Sequence, residues 1–289
     1  MISIVIPAFN EEKLLPECLE SLRNQDYAGG YEIIVVDNGS TDDTARVAAG
    51  FGAKVVSCIS RGVVYARQAG AQAASGDIII QGDADTVYLR DWLTRIASYF
   101  SAHPKTVALA GAYVYKDPPG WARFEYSGRY IMNIIGLLLF GRPVYISGAN
   151  FAFRREAFLK TKGYDAESLY PDQWGISHSL SQVGKIYYDR TVLVHTSTRR
   201  VQIPFHLILL NIGLNSSRIF IHFIKHSINL SRTTSAKLPY LKASAKRAAL
   251  ILLIVITCLF LYVYIAPKAQ VFGNPVTIQG LLSIPSFNQ

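Results

Sequence analysis

Cysteine is scarce in this chain. Cys18, Cys58 and Cys258 are odd in number, far apart and never in a C-x-x-C pair. That excludes a disulfide scaffold and fits a reducing compartment. Acidic residues are also short, at 20 against 29 Lys and Arg, which leaves a net charge of +9 across 289 residues. The excess calls for an anionic partner, and nucleic acid, anionic lipid headgroups and a phosphorylated substrate all qualify. There is no basic n-region ahead of an apolar run at the N-terminus, so no signal peptide is read there. No internal repeat or low-complexity tract is present. Neither G-x-G-x-x-G after the first apolar run nor a P-loop G-x-x-x-x-G-K occurs, which disfavours a dinucleotide oxidoreductase and an NTPase.

What is present is hydrophobic. Half the residues are apolar and the mean hydropathy is positive, so part of the chain is expected to meet lipid. The most informative stretch is Ile78-Ile79-Ile80-Gln81-Gly82-Asp83-Ala84-Asp85-Thr86. It reads as a buried strand stopped by two carboxylates one residue apart. At the carboxyl end of a core strand such a pair offers oxygen ligands to Mg²⁺ or Mn²⁺, and through the ion to phosphates. The alternative is a polar loop in which one Asp caps a helix starting near Tyr88.

Upstream, Ile2–Ile6 is an apolar run closed by Pro7, and a helical face of Leu14, Leu15, Cys18, Leu19 and Leu22 covers about Glu11–Gln25. Tyr31–Val36 is a second strand ending at Asp37, followed by a short helix to Ala49 with Ser40 or Thr41 as its cap. Ala53–Ser57 is a third strand and Arg61–Ala74 a helix. This β-α-β-α-β-α-β order predicts a parallel sheet covered by helices. Asp37, Asp83 and Asp85 then share the carboxyl edge of the sheet, where open α/β sheets bind ligands. Taken singly, Pro7 only stops a strand, Glu11 only favours a helix start and Asp37 only forms an Asx-turn.

Three segments in register carry a resemblance. Ile4-Val5-Ile6-Pro7-Ala8-Phe9-Asn10-Glu11-Glu12, Ile34-Val35-Val36-Asp37-Asn38-Gly39-Ser40-Thr41-Asp42 and Gly82-Asp83-Ala84-Asp85-Thr86 are similar to the motif series of family 2 glycosyltransferases, GT-A-fold enzymes that use nucleotide sugars. The resemblance implies an α/β GT-A domain over 1–200, Rossmann-like, with a mostly parallel sheet and helices on both faces. It implies that Pro7, Phe9, Glu11 and Asp37 line a nucleoside pocket, and that Asp83 and Asp85 lie near ribose, diphosphate and a Mg²⁺ or Mn²⁺ ion. Arg67 falls within a segment resembling the family's Ala-Arg-Asn-x-Gly, with Gln68 replacing Asn, and the resemblance makes it a candidate for binding the donor, as it does Asp83.

Further on, Val107–Val114 reads as a strand and Gly120–Phe140 as a core helix or an interfacial segment. Ser147-Gly148-Ala149-Asn150-Phe151 resembles the family's acceptor-side segment. In Tyr170-Pro171-Asp172-Gln173-Trp174 the resemblance makes Asp172 the general base, although Pro171 replaces the usual acid; a helix N-cap is the other reading. The processive synthases' Gln-x-x-Arg-Trp is absent, which implies addition of a single sugar. His195 is a candidate third metal ligand or a structural histidine. Arg199 and Arg200 are candidates for gripping the diphosphate or anionic lipid.

Three more segments complete the expected layout. Residues 201–247 read as an amphipathic, basic membrane-surface segment, 248–266 as one transmembrane helix and 267–289 as a short tail. Basic residues before Ala248 place the catalytic domain on the cytoplasmic side of the cell membrane. The expected function is inverting transfer of one sugar from a nucleotide diphosphate sugar to a membrane-associated, lipid-linked acceptor. A membrane-tethered nucleotide-sugar-binding protein without turnover is the alternative. No nucleic-acid motif is found, so no nucleic acid is expected as a partner.

Overall fold

The structure is a computed structural model that describes residues 1–118, 122–166 and 172–199. Residues 1–198 form one compact unit. Its centre is an eight-stranded mixed sheet in the order β3-β2-β1-β4-β7-β6-β8-β5. The strands are β1 (Ile2–Ala8), β2 (Tyr31–Asp37), β3 (Lys54–Ser57), β4 (Ile78–Gln81), β5 (Thr86–Tyr88), β6 (Thr106–Tyr115), β7 (Phe151–Arg154) and β8 (Lys185–Thr196). The helices are α1 (Leu15–Arg23), α2 (Thr44–Gly50), α3 (Val63–Ala73), α4 (Trp92–Ala102), α5 (Ala122–Phe140), α6 (Arg155–Leu159) and α7 (Asp172–Val183).

The first four strands pair in parallel, as the β-α repeat dictates. They are apolar on both faces because helices cover both. Ile2, Ile4 and Ile6 of β1 join Leu15, Leu19, Leu22 and Trp92 on one side. Val5 joins Ile34, Val36, Ala66, Phe151 and Leu180 on the other. Each of these enclosed aliphatic side chains stabilises the fold by about 1.5–3 kcal/mol.

The second half departs from the expected mostly parallel sheet. β7 runs antiparallel to β4 and β6, and β5 antiparallel to β8. In place of a helix near Tyr88 the chain forms β5, because Thr86–Tyr88 pair with Val194–Thr196, and α4 begins only at Trp92. α1 starts at Leu15 rather than Glu11, with Pro16 in the first turn, where its missing N–H costs nothing.

The expectation of a membrane-spanning helix is corrected. Among the described residues no helix is long and apolar enough to cross a membrane. α5, at 19 residues, carries Glu125, Arg129 and Asn133 within its length. The span expected over 248–266 lies outside the described residues, as do the surface segment 201–247 and the tail 267–289. The single-pass topology and the location drawn from it are withdrawn with that helix.

Candidate functional site

Parallel pairing aligns the carboxyl ends of β1, β2 and β4. Ala8 stands opposite Asp37, and Val5 opposite Gln81. The loops that follow are knitted by side-chain hydrogen bonds. The Asp37 carboxylate accepts the Ser40 N–H at 3.1 Å. The Asn10 side chain accepts the Thr41 N–H at 2.9 Å, and the Glu11 N–H donates to Thr44 Oγ1 at 2.8 Å. Asn10 adopts a positive φ of 54°, which asparagine tolerates. Asn38 is buried and ties down the next loop: Nδ2 donates to the carbonyls of Cys58 (3.0 Å) and Ser60 (2.7 Å), and Oδ1 accepts the Gly62 N–H (2.7 Å). Phe9 remains exposed, with the Arg61 guanidinium 5.1 Å from its ring centre. Pro7 is half-buried within β1.

Beyond β4, Asp83 and Asp85 behave differently. Asp85 is buried, and its main-chain carbonyl accepts the Ser197 N–H at 3.1 Å. Asp83 is partly exposed, and its Oδ1 accepts a hydrogen bond from Arg67 Nη2 at 2.7 Å. Arg67 itself is enclosed. Its Nη1 also donates to Gln81 Oε1 (3.1 Å) and to the Gly148 carbonyl (3.2 Å). These contacts of the candidate donor-binding arginine lie within the protein. Charge-assisted bonds of this kind are the strong ones, and they fix one oxygen of Asp83.

A Cβ added to Gly148 would stand 2.2 Å from Arg67 Nη2 and 3.2 Å from Gln173 Nε2. Gly148 therefore lets the arginine lie against main chain. The same position lies close to Gln173 in the first turn of α7, the helix whose first residue is Asp172.

His195 lies on β8 opposite Val87. Burial first, then the nearby Lys116 ammonium, hold its imidazole below the ordinary histidine range, which favours the neutral ring. Among the described residues no three His, Cys, Asp or Glu side chains converge as a metal-binding group. Arg199 is exposed, and Arg200 lies outside the described residues.

Sequence reasoning missed the support beneath this edge. Cys18, Tyr88, Asn38, Asn150 and Gly148 all contribute, through contacts that form only in the fold. Burial, followed by the carboxylates of Asp83 and Asp85, pushes the Cys18 thiol up, so it stays protonated. The arrangement places carboxylates beyond two strand ends on one edge of the sheet, one of them pre-oriented. That geometry suits a cation-bridged phosphate next to a planar group.

The family profile described as Glycosyl transferase family 2 matches residues 3–161. The PGL/p-HBAD biosynthesis glycosyltransferase of Mycobacterium tuberculosis is 29% identical over 151 residues, 50% of this chain and 56% of the relative. The glucosyl-dolichyl phosphate glucuronosyltransferase of Haloferax volcanii is 26% identical over 182 residues, 58% of this chain and 56% of the relative. The chain thus spans about half the length of these curated relatives. A crystal structure of glucosyl-3-phosphoglycerate synthase from Mycobacterium tuberculosis, in complex with Mn²⁺, uridine diphosphate and phosphoglyceric acid, superposes with a TM-score of 0.54. That match covers 75% of each chain at 22% identity, a likeness of fold.

Proposed function

The chain belongs to glycosyl transferase family 2, and from that premise we propose that it transfers a single sugar from a nucleotide diphosphate sugar to an acceptor. The observation that carries the reading is the carboxyl edge of the parallel strands, where Asp37 at the end of β2 and the Arg67-oriented Asp83 just past β4 flank β1. In this reading Pro7, Phe9, Glu11 and Asp37 form the nucleoside side. Phe9 supplies the exposed ring and Asp37 a carboxylate for the ribose hydroxyls.

Asp83 and Asp85 would hold Mg²⁺ or Mn²⁺. Such ions are commonly bound by one or two carboxylates, with substrate phosphates and water completing the shell. In this reading the ion arrives with the donor, whose phosphates share its shell with the carboxylates. When bound, the ion supplies positive charge against the leaving diphosphate. Arg67, a candidate for the donor side, would hold Asp83 in place. Asp172, at the start of α7, would accept the proton of the acceptor oxygen as that oxygen bonds to the anomeric carbon. The bond would form from the face opposite the departing nucleoside diphosphate, and this opposite-face attack inverts the carbon. His195 stands as a further candidate ligand, and Arg199 and Arg200 as candidates for the diphosphate.

For the acceptor we propose a lipid-linked sugar or phosphate. The support is the name of one relative, a glucosyl-dolichyl phosphate glucuronosyltransferase. Membership in a family of transferases supports turnover over binding alone.

The test is nucleoside diphosphate release from a panel of nucleotide sugars with Mn²⁺ and polyprenyl-phosphate acceptors. Release from one donor, abolished in Asp85→Ala, is the expected result. Release that Asp85→Ala leaves untouched would overturn the assigned site.

A further inference from the structure

We infer that Tyr88 is a positioning residue for Asp83, acting through the Asp83 main chain; the inference rests on the transferase reading of the site given above. Tyr88 is buried in β5, five residues past the carboxylate it serves. Its phenol oxygen accepts the Asp83 N–H at 3.0 Å and donates to the Asp83 carbonyl at 3.4 Å. One hydroxyl therefore grips both polar groups of a single peptide residue.

Further contacts make the grip specific. The Asp83 carbonyl also receives the Thr86 N–H (3.3 Å) and the Cys18 thiol (3.6 Å), so it is held from several directions. A Cβ on Gly82 would stand 2.3 Å from the phenol oxygen and 2.4 Å from Ile6 Cδ1. The loop can approach the hydroxyl this closely only because residue 82 has no side chain. The ring is fixed in turn: its centre is 4.3 Å from that of Trp92, whose indole N–H donates to Asn150 Oδ1 at 3.0 Å. The Tyr88 N–H is taken by Ser21 Oγ at 3.1 Å.

A tyrosine serving only to fill the core would need one partner for its hydroxyl. This one spends both its donor and its acceptor on the residue whose carboxylate Arg67 holds from the other end. Asp83 is thus pinned by its main chain from below and by Oδ1 from the side. Oδ2 is left without a protein partner among the described residues. Fixing the rest of the residue restricts where that oxygen can go, as a metal or phosphate-organising ligand requires.

The test is Tyr88→Phe in the full chain, which keeps the ring and its contact with Trp92 and removes the grip. Amide hydrogen exchange of the peptide covering 82–86 is compared with that of β2, which serves as the control for global destabilisation. Donor turnover is followed with Mn²⁺ titrated. The expected result is faster exchange at 82–86 with β2 unchanged, a fall in kcat of about 10-fold, and a several-fold higher Mn²⁺ concentration for half-activation, with little change in the acceptor KM. Unchanged exchange at 82–86 overturns the inference, and so does faster exchange with kcat and Mn²⁺ dependence unaltered. If exchange rises equally in β2, the role is general stability and the inference fails. If the wild type turns over no donor, the transferase reading fails separately, while the exchange comparison still decides whether Tyr88 holds the loop.

Discussion

Arg67 and Asp83 form an ion pair of 2.7 Å in which the guanidinium is almost fully enclosed and the carboxylate about a quarter exposed, 4% against 26%. Removing one partner of such a pair leaves the other charge poorly solvated. Because Asp83 reaches water, the cost of Arg67→Met is placed below the fully buried case, at about 2 kcal/mol. Arg67→Lys keeps the charge but cannot serve Asp83, Gln81 and Gly148 from one planar fork. Both variants are expected to lower donor turnover more than stability. Urea denaturation alongside a turnover assay checks this, and a lysine variant with wild-type turnover would count against a positioning role.

Gly148→Ala tests the same pair from the other side. The added methyl would meet Arg67 Nη2 at 2.2 Å, and the guanidinium cannot retreat without leaving Gln81 or Asp83. Overpacking of this kind costs about 1–3 kcal/mol. The expected outcome is a lower Tm with reduced turnover, and Arg67→Lys/Gly148→Ala should be less than additive because both changes disturb one contact.

The half of the fold that positions the crevice was legible because it is local. Apolar runs of four to seven residues ending at Asp37 and Asp83 declare parallel strands, and their carboxyl edge follows from topology. The other half is not local. β5 has three residues and becomes a strand only by pairing with β8, more than a hundred residues away. Arg67 was legible as important but not as enclosed, since its partners Gln81, Asp83 and Gly148 become neighbours only in the fold. The expected membrane span comes from an uncharged run of bilayer length with tyrosines at its far end and basic residues before it, and that stretch lies outside the described residues.

Asn150 shows the same limit and yields a prediction. It sits within a motif resembling an acceptor-side segment, yet it is buried. Its Nδ2 donates to the carbonyls of Ala112 (2.7 Å) and Val192 (2.8 Å), where β6 and β8 slip register after Gly111. Asn150→Ala strands two carbonyls and the Trp92 indole, at about 1–3 kcal/mol for each group left unsatisfied. A destabilisation of about 3 kcal/mol by urea titration is expected; a loss under about 0.5 kcal/mol would mean that water replaces the side chain.

Asp172→Asn addresses the proposed base. The amide is nearly isosteric but cannot take a proton, so kcat should fall by about 100-fold or more while donor affinity holds. Single-turnover kinetics with a hydroxyl acceptor checks this. A phosphate acceptor needs less assistance, and a smaller loss with that acceptor than with the hydroxyl one is the accompanying expectation.

The last prediction concerns pH and lies at the opposite edge of the sheet. Glu32, on β2, accepts Ser3 Oγ at 2.6 Å and the Ser75 N–H at 2.8 Å, and Ser3 Oγ accepts the Gly76 N–H at 2.8 Å. These bonds fasten the start of β1 to the turn that leads into β4. Burial pushes the Glu32 carboxyl up, but the hydrogen bonds from Ser3 and Ser75, with Lys54, outweigh it and hold the group below its ordinary value of 4.5. The unfolded chain therefore binds the proton more readily than the folded one. The stabilisation is fully present above about pH 4.5 and is lost as pH falls through the lower, folded-state value. Glu32→Gln keeps an acceptor but no charge, so it should melt below the wild type near neutrality, and the gap should close as pH is lowered from 5 to 3. Thermal melts across that range, with turnover at pH 7 as the control, decide it. A gap as wide at pH 3 as at pH 7 would show that the ionised carboxylate is not what holds these three segments together.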